Sequence, residues 1–297
     1  MKKYFFILTV ILFKISCSPI HVSDEIENNL LYNKSFPQRI LFLGLNDKII
    51  YKAFPLDRNS QVNYWIRYYS KGKGQTTMKI NLQKLGRYKD YMGNILNKEG
   101  LPTELIYLAM VESSFNPSIR SSADAVGYWQ FIPSTAQSYQ LRINSTIDER
   151  KDFALSTKAV TKYLKHLYSR FQDWYLSLAA YNCGESCVQK AIRKYRIRDF
   201  WLLSEKSALP KETRNHVPKI IAMAHISKNP RAYGFSNLAL FSPLDYNLLQ
   251  VGQSTRLSEI AKYLNIPLSK LKLLNSKYET DYVPHSYEIR IPTNVSL

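Results

Sequence analysis

Three short strings, Glu112-Ser113-Ser114, Gly127-Tyr128-Trp129-Gln130-Phe131 and Ala179-Ala180-Tyr181-Asn182-Cys183-Gly184, bring acid, amide, hydroxyl and aromatic groups into one stretch of chain. Only the first supplies an acid. A carboxyl group that must protonate a poor leaving-group oxygen has to hold its proton near neutral pH, although its unperturbed pKa is about 4. Glu112 follows the apolar run Leu105 to Val111, which places it near a helix's C-terminal end. Apolar surroundings and the negative end of the helix dipole both disfavour the anion there, so a raised pKa is predicted. In the second string Gln130 offers both donor and acceptor, and Gly127 permits a close backbone approach. Trp129 is either a face on which a sugar ring stacks or core beside Tyr128 and Phe131. The Tyr181 hydroxyl and the Asn182 amide can orient a ligand or Glu112, or cap and pack a helix. Ser113 has a ligand contact and a local helix-end hydrogen bond as its alternatives.

Acid-catalysed bond cleavage often takes a second carboxylate. Asp124 is the nearest candidate for a second in sequence, with Asp148, Glu149 and Asp152 further along, and nothing in the sequence sets any of them opposite Glu112.

The elements that must position these groups read as helices. Apolar and aromatic residues recur at helical spacing from Val62 to Lys98, with a break around Gly72-Lys73-Gly74. Leu101-Pro102-Thr103-Glu104 has the chemistry of a helix start, and the helix it opens is apolar almost all round, hence buried. Further helices are expected at Ser134 to Tyr139, Leu155 to Arg170, Trp174 to Tyr181, Ser186 to Tyr195 and Glu212 to Ser227, with Gly184 a C-terminal stop. After Asn229-Pro230 and a loose stretch to Pro243 the pattern changes. Tyr246 to Ser254 reads as strand and turn, Leu257 to Leu264 as a helix, Ile266-Pro267-Leu268-Ser269 as the start of a second that runs to Asn275, and Ser286 to Pro292 as a closing strand.

In order, spacing and content the three strings resemble the catalytic domain of the lytic murein transglycosylases, goose-lysozyme-like enzymes that cleave peptidoglycan glycan strands with one glutamic acid. The resemblance implies a mainly α chain: a lysozyme-like helical catalytic domain over residues 60–235, its N-terminal helices included. It also implies that Glu112 is the general acid and then the base, so that no second carboxylate is required. Ser113, Gln130, Trp129, Tyr181 and Asn182 become substrate-binding candidates. The segment Leu209 to Lys219 resembles another family element, in which a tyrosine usually stands where this chain has His216; His216 is therefore a further candidate for substrate contact. Asp148-Glu149-Arg150-Lys151-Asp152 matches a family element whose expected role is ion pairing that holds helices below the cleft. No cofactor and no metal are called for. The strand, helix, helix, strand order over residues 245–293 resembles a LysM module, a small α+β (βααβ) domain that binds N-acetylglucosamine-containing glycans. Val251-Gly252-Gln253-Ser254, Ile260-Ala261, Leu264, Leu274-Asn275 and Ile289-Arg290-Ile291-Pro292 carry that likeness. The expected partner is the peptidoglycan glycan strand. A hydrolytic muramidase of the same fold and a non-catalytic wall-binding scaffold are the rival readings.

Composition agrees with an envelope protein. The chain has 297 residues, 45% hydrophobic, enough for one ordinary domain and a smaller one. A net charge of +18 favours a polyanionic partner. The basic residues are dispersed, without zinc-finger spacing or an RNP-like string, which argues against nucleic acid and for an anionic envelope. Lys2-Lys3 followed by the apolar Tyr4 to Phe13 reads as an export signal over residues 1–17, too short for a stable membrane span. Ser16-Cys17 resembles a lipoprotein cleavage site, with Lys14 as a departure; Cys17 is thus a candidate lipid anchor to the membrane, and the product is exported to the periplasm or cell envelope. Residues 18–59 read as a linker or arm. Cys183 and Cys187 can bridge only if the backbone leaves the helix around Gly184.

Overall fold

The computed structural model describes residues 51–295, so the expected export signal, Cys17 and the arm up to residue 50 lie outside the described residues. The helical part runs α1 (Ser60–Lys71), α2 (Gln75–Lys98), a 3-10 turn (Thr103–Leu105) leading into α3 (Ile106–Ser113), and α4 (Pro133–Ser138). A second 3-10 turn (Glu149–Lys151) then precedes α5 (Phe153–Phe171), α6 (Trp174–Cys183), α7 (Glu185–Tyr195), α8 (Phe200–Glu205) and α9 (Lys211–Lys228). The expected helices are present, each within two residues of its predicted start and end. Helix α8 was not anticipated.

Aspartates start several of these helices. Asp152 accepts from the amides of Ala154 and Leu155, Asp173 from Leu176 and Asp199 from Leu202. Each satisfies amides that the first turn leaves unpaired, a contribution of about 1 kcal/mol. Helices α3 and α6 are the central pair. Ile106 to Met110 and Trp174 to Ala180 are all buried, as the uniformly apolar sequence demands. Helix α3 packs on α2 and α9, and α6 on α5, α7 and α9. The fully buried Ala179 and Ala180 leave room for that approach.

Residues 51–59 form no helix or strand, yet they are not a loose arm. Phe54 is buried, Trp174 Nε1 donates to the Lys52 carbonyl, and Tyr175 Oη donates to that of Pro55. The backbone carbonyls of this segment satisfy indole and phenol groups that would otherwise be stranded in the core.

The C-terminal module runs β1 (Tyr246–Gln250), β2 (Thr255–Arg256), α10 (Leu257–Tyr263), α11 (Leu268–Leu274), β3 (Tyr282–Val283) and β4 (Glu288–Pro292). Strands β1 and β4 pair antiparallel with Leu248 opposite Arg290, and β2 pairs with β3. This is the expected strand, helix, helix, strand order with one added short pair. The stretch before it is not loose. The Phe241 amide donates to the Gln83 carbonyl at 2.9 Å, and the Arg87 guanidinium covers the Phe241 ring. No helix among the described residues is long and apolar enough to cross a membrane.

Candidate active site

Glu112 lies in the last turn of α3, which stops because Ser114 and Phe115 both take left-handed backbone angles, φ 51° and 53°. Lys84 of α2 donates to the Ser114 carbonyl at 2.8 Å, a cation on the negative end of α3. Burial lowers the Lys84 pKa. Glu112 retains 15% side-chain exposure and its Oε1 lies 2.8 Å from His216 Nε2, whose ring is almost fully enclosed. The other ring nitrogen of His216, Nδ1, is buried without a partner. Helix α9 brings this about through residues three apart on one face: His216 meets α3, while Thr213 Oγ1 donates to Asn182 Oδ1 of α6 at 2.7 Å.

The loop between α3 and α4 supplies the second string. Gly127 has φ 86°, and a Cβ there would run into the backbone carbonyl of Arg150. The close approach that Gly127 permits is therefore to Arg150. Gln130 also takes a left-handed angle, φ 49°, and its amide Nε2 donates to the carbonyls of Ile119 and Gly127, both at 3.1 Å. Trp129 has no exposed surface, and its indole N–H donates to Thr157 Oγ1 at 3.0 Å. It sits in the core with no face on which a sugar could stack.

Two loop carbonyls are held from the helices that carry the other strings. Ser113 Oγ donates to the Tyr128 carbonyl at 2.8 Å, and Tyr181 Oη donates to that of Trp129 at 2.5 Å. Burial, aided by the nearby Glu112 carboxylate, holds the Tyr181 phenol well above its ordinary pKa. Tyr181 is thus a fixed hydrogen-bond donor at any working pH.

All four candidates for a second acid are engaged in ion pairs elsewhere. Asp124 pairs with Arg120, Asp148 with Arg150, Glu149 with Arg142 and Asp152 with Arg290. Family likeness gave the charged string 148–152 the role of holding helices; in the structure Arg150 instead braces the loop, donating to the carbonyls of Asp124 and Phe131. Cys183 and Cys187 are bridged across the break at Gly184, φ 88°, where α6 gives way to α7. The sequence reading missed Lys84, and it named Arg150 and Thr213 only as members of family-like segments without these contacts. Thr213 carried a signal in its spacing of three from His216, and Arg150 in its charged string; Lys84 carried none.

Comparison with known proteins finds a match within each part of the chain. Residues 91–204 match the Transglycosylase SLT domain family, and residues 247–296 match the family described as Lytic transglycosylase MltD, LysM-like domain. The chain carries a transglycosylase SLT domain. The MltD LysM-like domain follows it, and His216 lies between the two matched spans. Membrane-bound lytic murein transglycosylase D of Escherichia coli K12 is 36% identical over 194 residues, covering 64% of this chain and 42% of that protein. Membrane-bound lytic murein transglycosylase C of Haemophilus ducreyi is 29% identical over 162 residues, covering 50% of this chain and 42% of that protein. The chain thus spans less than half the length of these relatives. Among solved structures, the 70 kDa soluble lytic transglycosylase of Escherichia coli aligns with a TM-score of 0.43 at 21% identity, over 63% of this chain and 33% of that one.

Proposed function

We propose that this protein is an exported peptidoglycan lytic transglycosylase in which Glu112 is the only catalytic carboxyl group. Protonated Glu112 gives its proton to the oxygen that leaves MurNAc C1 as the β-1,4 bond to GlcNAc breaks. The substrate's N-acetyl group, or its surroundings, stabilises the cationic centre. The Glu112 carboxylate then takes the proton of the MurNAc C6 hydroxyl while O6 closes on C1. The product is 1,6-anhydro-MurNAc, no water is consumed, and Glu112 ends as it began.

The observation that carries this reading is the pairing of Asp124, Asp148, Glu149 and Asp152 with arginines, so that none of these four candidates among the described residues is paired with Glu112 as nucleophile or water-activating base. His216 supports it. With its proton on Nε2 the neutral imidazole donates to Glu112 Oε1, which accepts whether or not Oε2 carries the transferable proton, so one tautomer can hold Glu112 through both halves of the cycle. Ser113, Tyr181, Gln130 and Asn182 serve the site by fixing the loop and helices around Glu112. The bridged Cys183 and Cys187 suit an oxidising compartment outside the cytoplasm, where Cys17 would add a lipid anchor. The LysM-like module would raise the enzyme's local concentration on the wall.

Mass spectrometry of fragments released from purified peptidoglycan by the protein lacking Met1 to Cys17 tests the proposal, with Glu112→Gln alongside. Anhydro-MurNAc ends that vanish in the variant are expected. Reducing ends would mean a muramidase, and no fragments from a folded protein would mean a wall-binding scaffold.

A further inference from the structure

The C-terminal module does not hang from a tether. Ile147 of the helical part, 1% exposed, lies in the module's own core with Val251, Leu257, Leu271, Val283 and Ile289. Around it the two parts share backbone hydrogen bonds, Asp148 N–H to the Lys277 carbonyl at 2.8 Å and Glu279 N–H to the Thr146 carbonyl at 2.9 Å. Arg290 of β4 forms a two-pronged pair with the Asp152 carboxylate, at 2.7 and 3.0 Å. Both residues are buried, at 8% and 1% exposure, and the guanidinium lies over the Phe153 ring. Asn275 fixes the Arg290 backbone at both its N–H and its carbonyl. A module whose only task was to find glycan would need none of this, because flexible attachment serves local concentration equally well.

We infer that the LysM-like module positions the catalytic loop, with Arg290 and Ser276 as positioning residues for Glu112. The segment clamped by the module, residues 146–152, is the one the loop is built on. Ser276 Oγ donates to the Lys151 carbonyl at 2.6 Å and also lies beside the buried Tyr128 phenol. Arg150, next in the chain, holds the carbonyls of Asp124 and Phe131, and Gly127 lies flush on its backbone. The other side of the loop is tied to Ser113 and Tyr181, the residues flanking Glu112 in sequence and in space. Polar contacts joined by short stretches of backbone therefore run from β4 to the two residues beside the acid. Because these contacts share the clamped segment and the loop it carries, loosening one end loosens the loop.

The inference about turnover rests on the transglycosylase reading; the inference about the loop does not, and two readouts separate them. Arg290→Gln, Ser276→Ala and, as a control on the module's exposed face, Tyr263→Ala (69% exposed) are made in the protein lacking Met1 to Cys17. Hydrogen exchange is followed at the amides of Val126, Gly127 and Gln130, which bond to Phe131, Ile119 and Gly127 respectively. Turnover is measured on short soluble glycan strands at a temperature where circular dichroism shows each variant folded. For Arg290→Gln we expect loop exchange faster by about tenfold or more and kcat lower by a similar factor, with KM within about twofold. Ser276→Ala should move both the same way by about threefold to tenfold and decides the matter should Arg290→Gln not fold. Tyr263→Ala should change neither. Faster exchange confined to residues 246–295 and the 146–152 segment, with loop amides and kcat as in the unaltered protein, overturns the inference. Should the unaltered protein release no fragments, the functional reading falls and the exchange result alone decides whether the module holds the loop.

Discussion

Replacing His216 with Phe tests the pairing on which the proposed chemistry turns. Phenylalanine keeps a flat ring in the enclosed site, so packing against α3 survives while the 2.8 Å hydrogen bond to Glu112 Oε1 is lost. A hydrogen bond to a charged group contributes about 1.5–3 kcal/mol. With about 1.4 kcal/mol per factor of ten, kcat should fall roughly 10-fold to 100-fold. KM should hardly change, because the ring is almost wholly enclosed and offers substrate little surface. His216→Tyr is the informative companion: its hydroxyl reaches farther from Cβ than Nε2 does, so the Glu112 carboxyl must move to accommodate it, and activity should lie between the unaltered protein and His216→Phe. The combined Glu112→Gln, His216→Phe variant should be no worse than Glu112→Gln alone, since the histidine acts only through the acid. Release of anhydro ends from peptidoglycan is the assay, with thermal unfolding run beside it. A His216→Phe rate within about twofold of the unaltered protein would refute the reasoning and leave His216 as packing.

Trp129→Phe should cost stability through the lost bond to Thr157 and the space left in the core, by about 1–3 kcal/mol, and leave KM for glycan unchanged; a raised KM with unaltered melting would show sugar contact instead. Replacing Cys183 and Cys187 with serines opens a very short loop, so chain entropy predicts a loss of about 2 kcal/mol in denaturant titration. Burial pushes the Tyr69 and Tyr107 phenols up to about 12 and the Tyr128 phenol well above its ordinary value. In the unfolded chain these groups release protons near pH 10, so their contribution is whole below that pH and is lost as pH rises towards 12. The urea midpoint should fall steeply across that window, and a flat profile there would contradict the burial.

The helices were legible because their information is local. Apolar residues at helical spacing, Pro102 at a helix start and Gly184 at a stop are read within one or two turns of chain. Glu112 was singled out by the likeness of the three strings to a known family, and the apolar run before it foretold only its place near the end of α3. Partnerships across the fold were not legible. His216 stands 104 positions from Glu112, and Arg290 stands 138 from Asp152. No spacing rule reports which face of α9 meets α3. The five charges 148–152 read as helix ties, and only their partners show that they join the loop to the module. Trp129 and Gly127 failed differently. Their types suit a sugar site and a crowded core equally, and burial alone decides between them.

The polar side chains of the three strings spend their hydrogen bonds on groups of the fold itself. Ser113 holds the Tyr128 carbonyl, Tyr181 the Trp129 carbonyl, Gln130 the carbonyls of Ile119 and Gly127, and Asn182 takes the Thr213 hydroxyl. An acid that must meet a leaving oxygen and then a hydroxyl proton within one bound complex gains from a frame that does not reorganise between the two steps. Substitutions in that frame should therefore lower turnover more than they weaken binding. A ligand-contacting set would do the reverse, raising KM at constant kcat, and the strings would then be a glycan-reading surface around an acid fixed by other means.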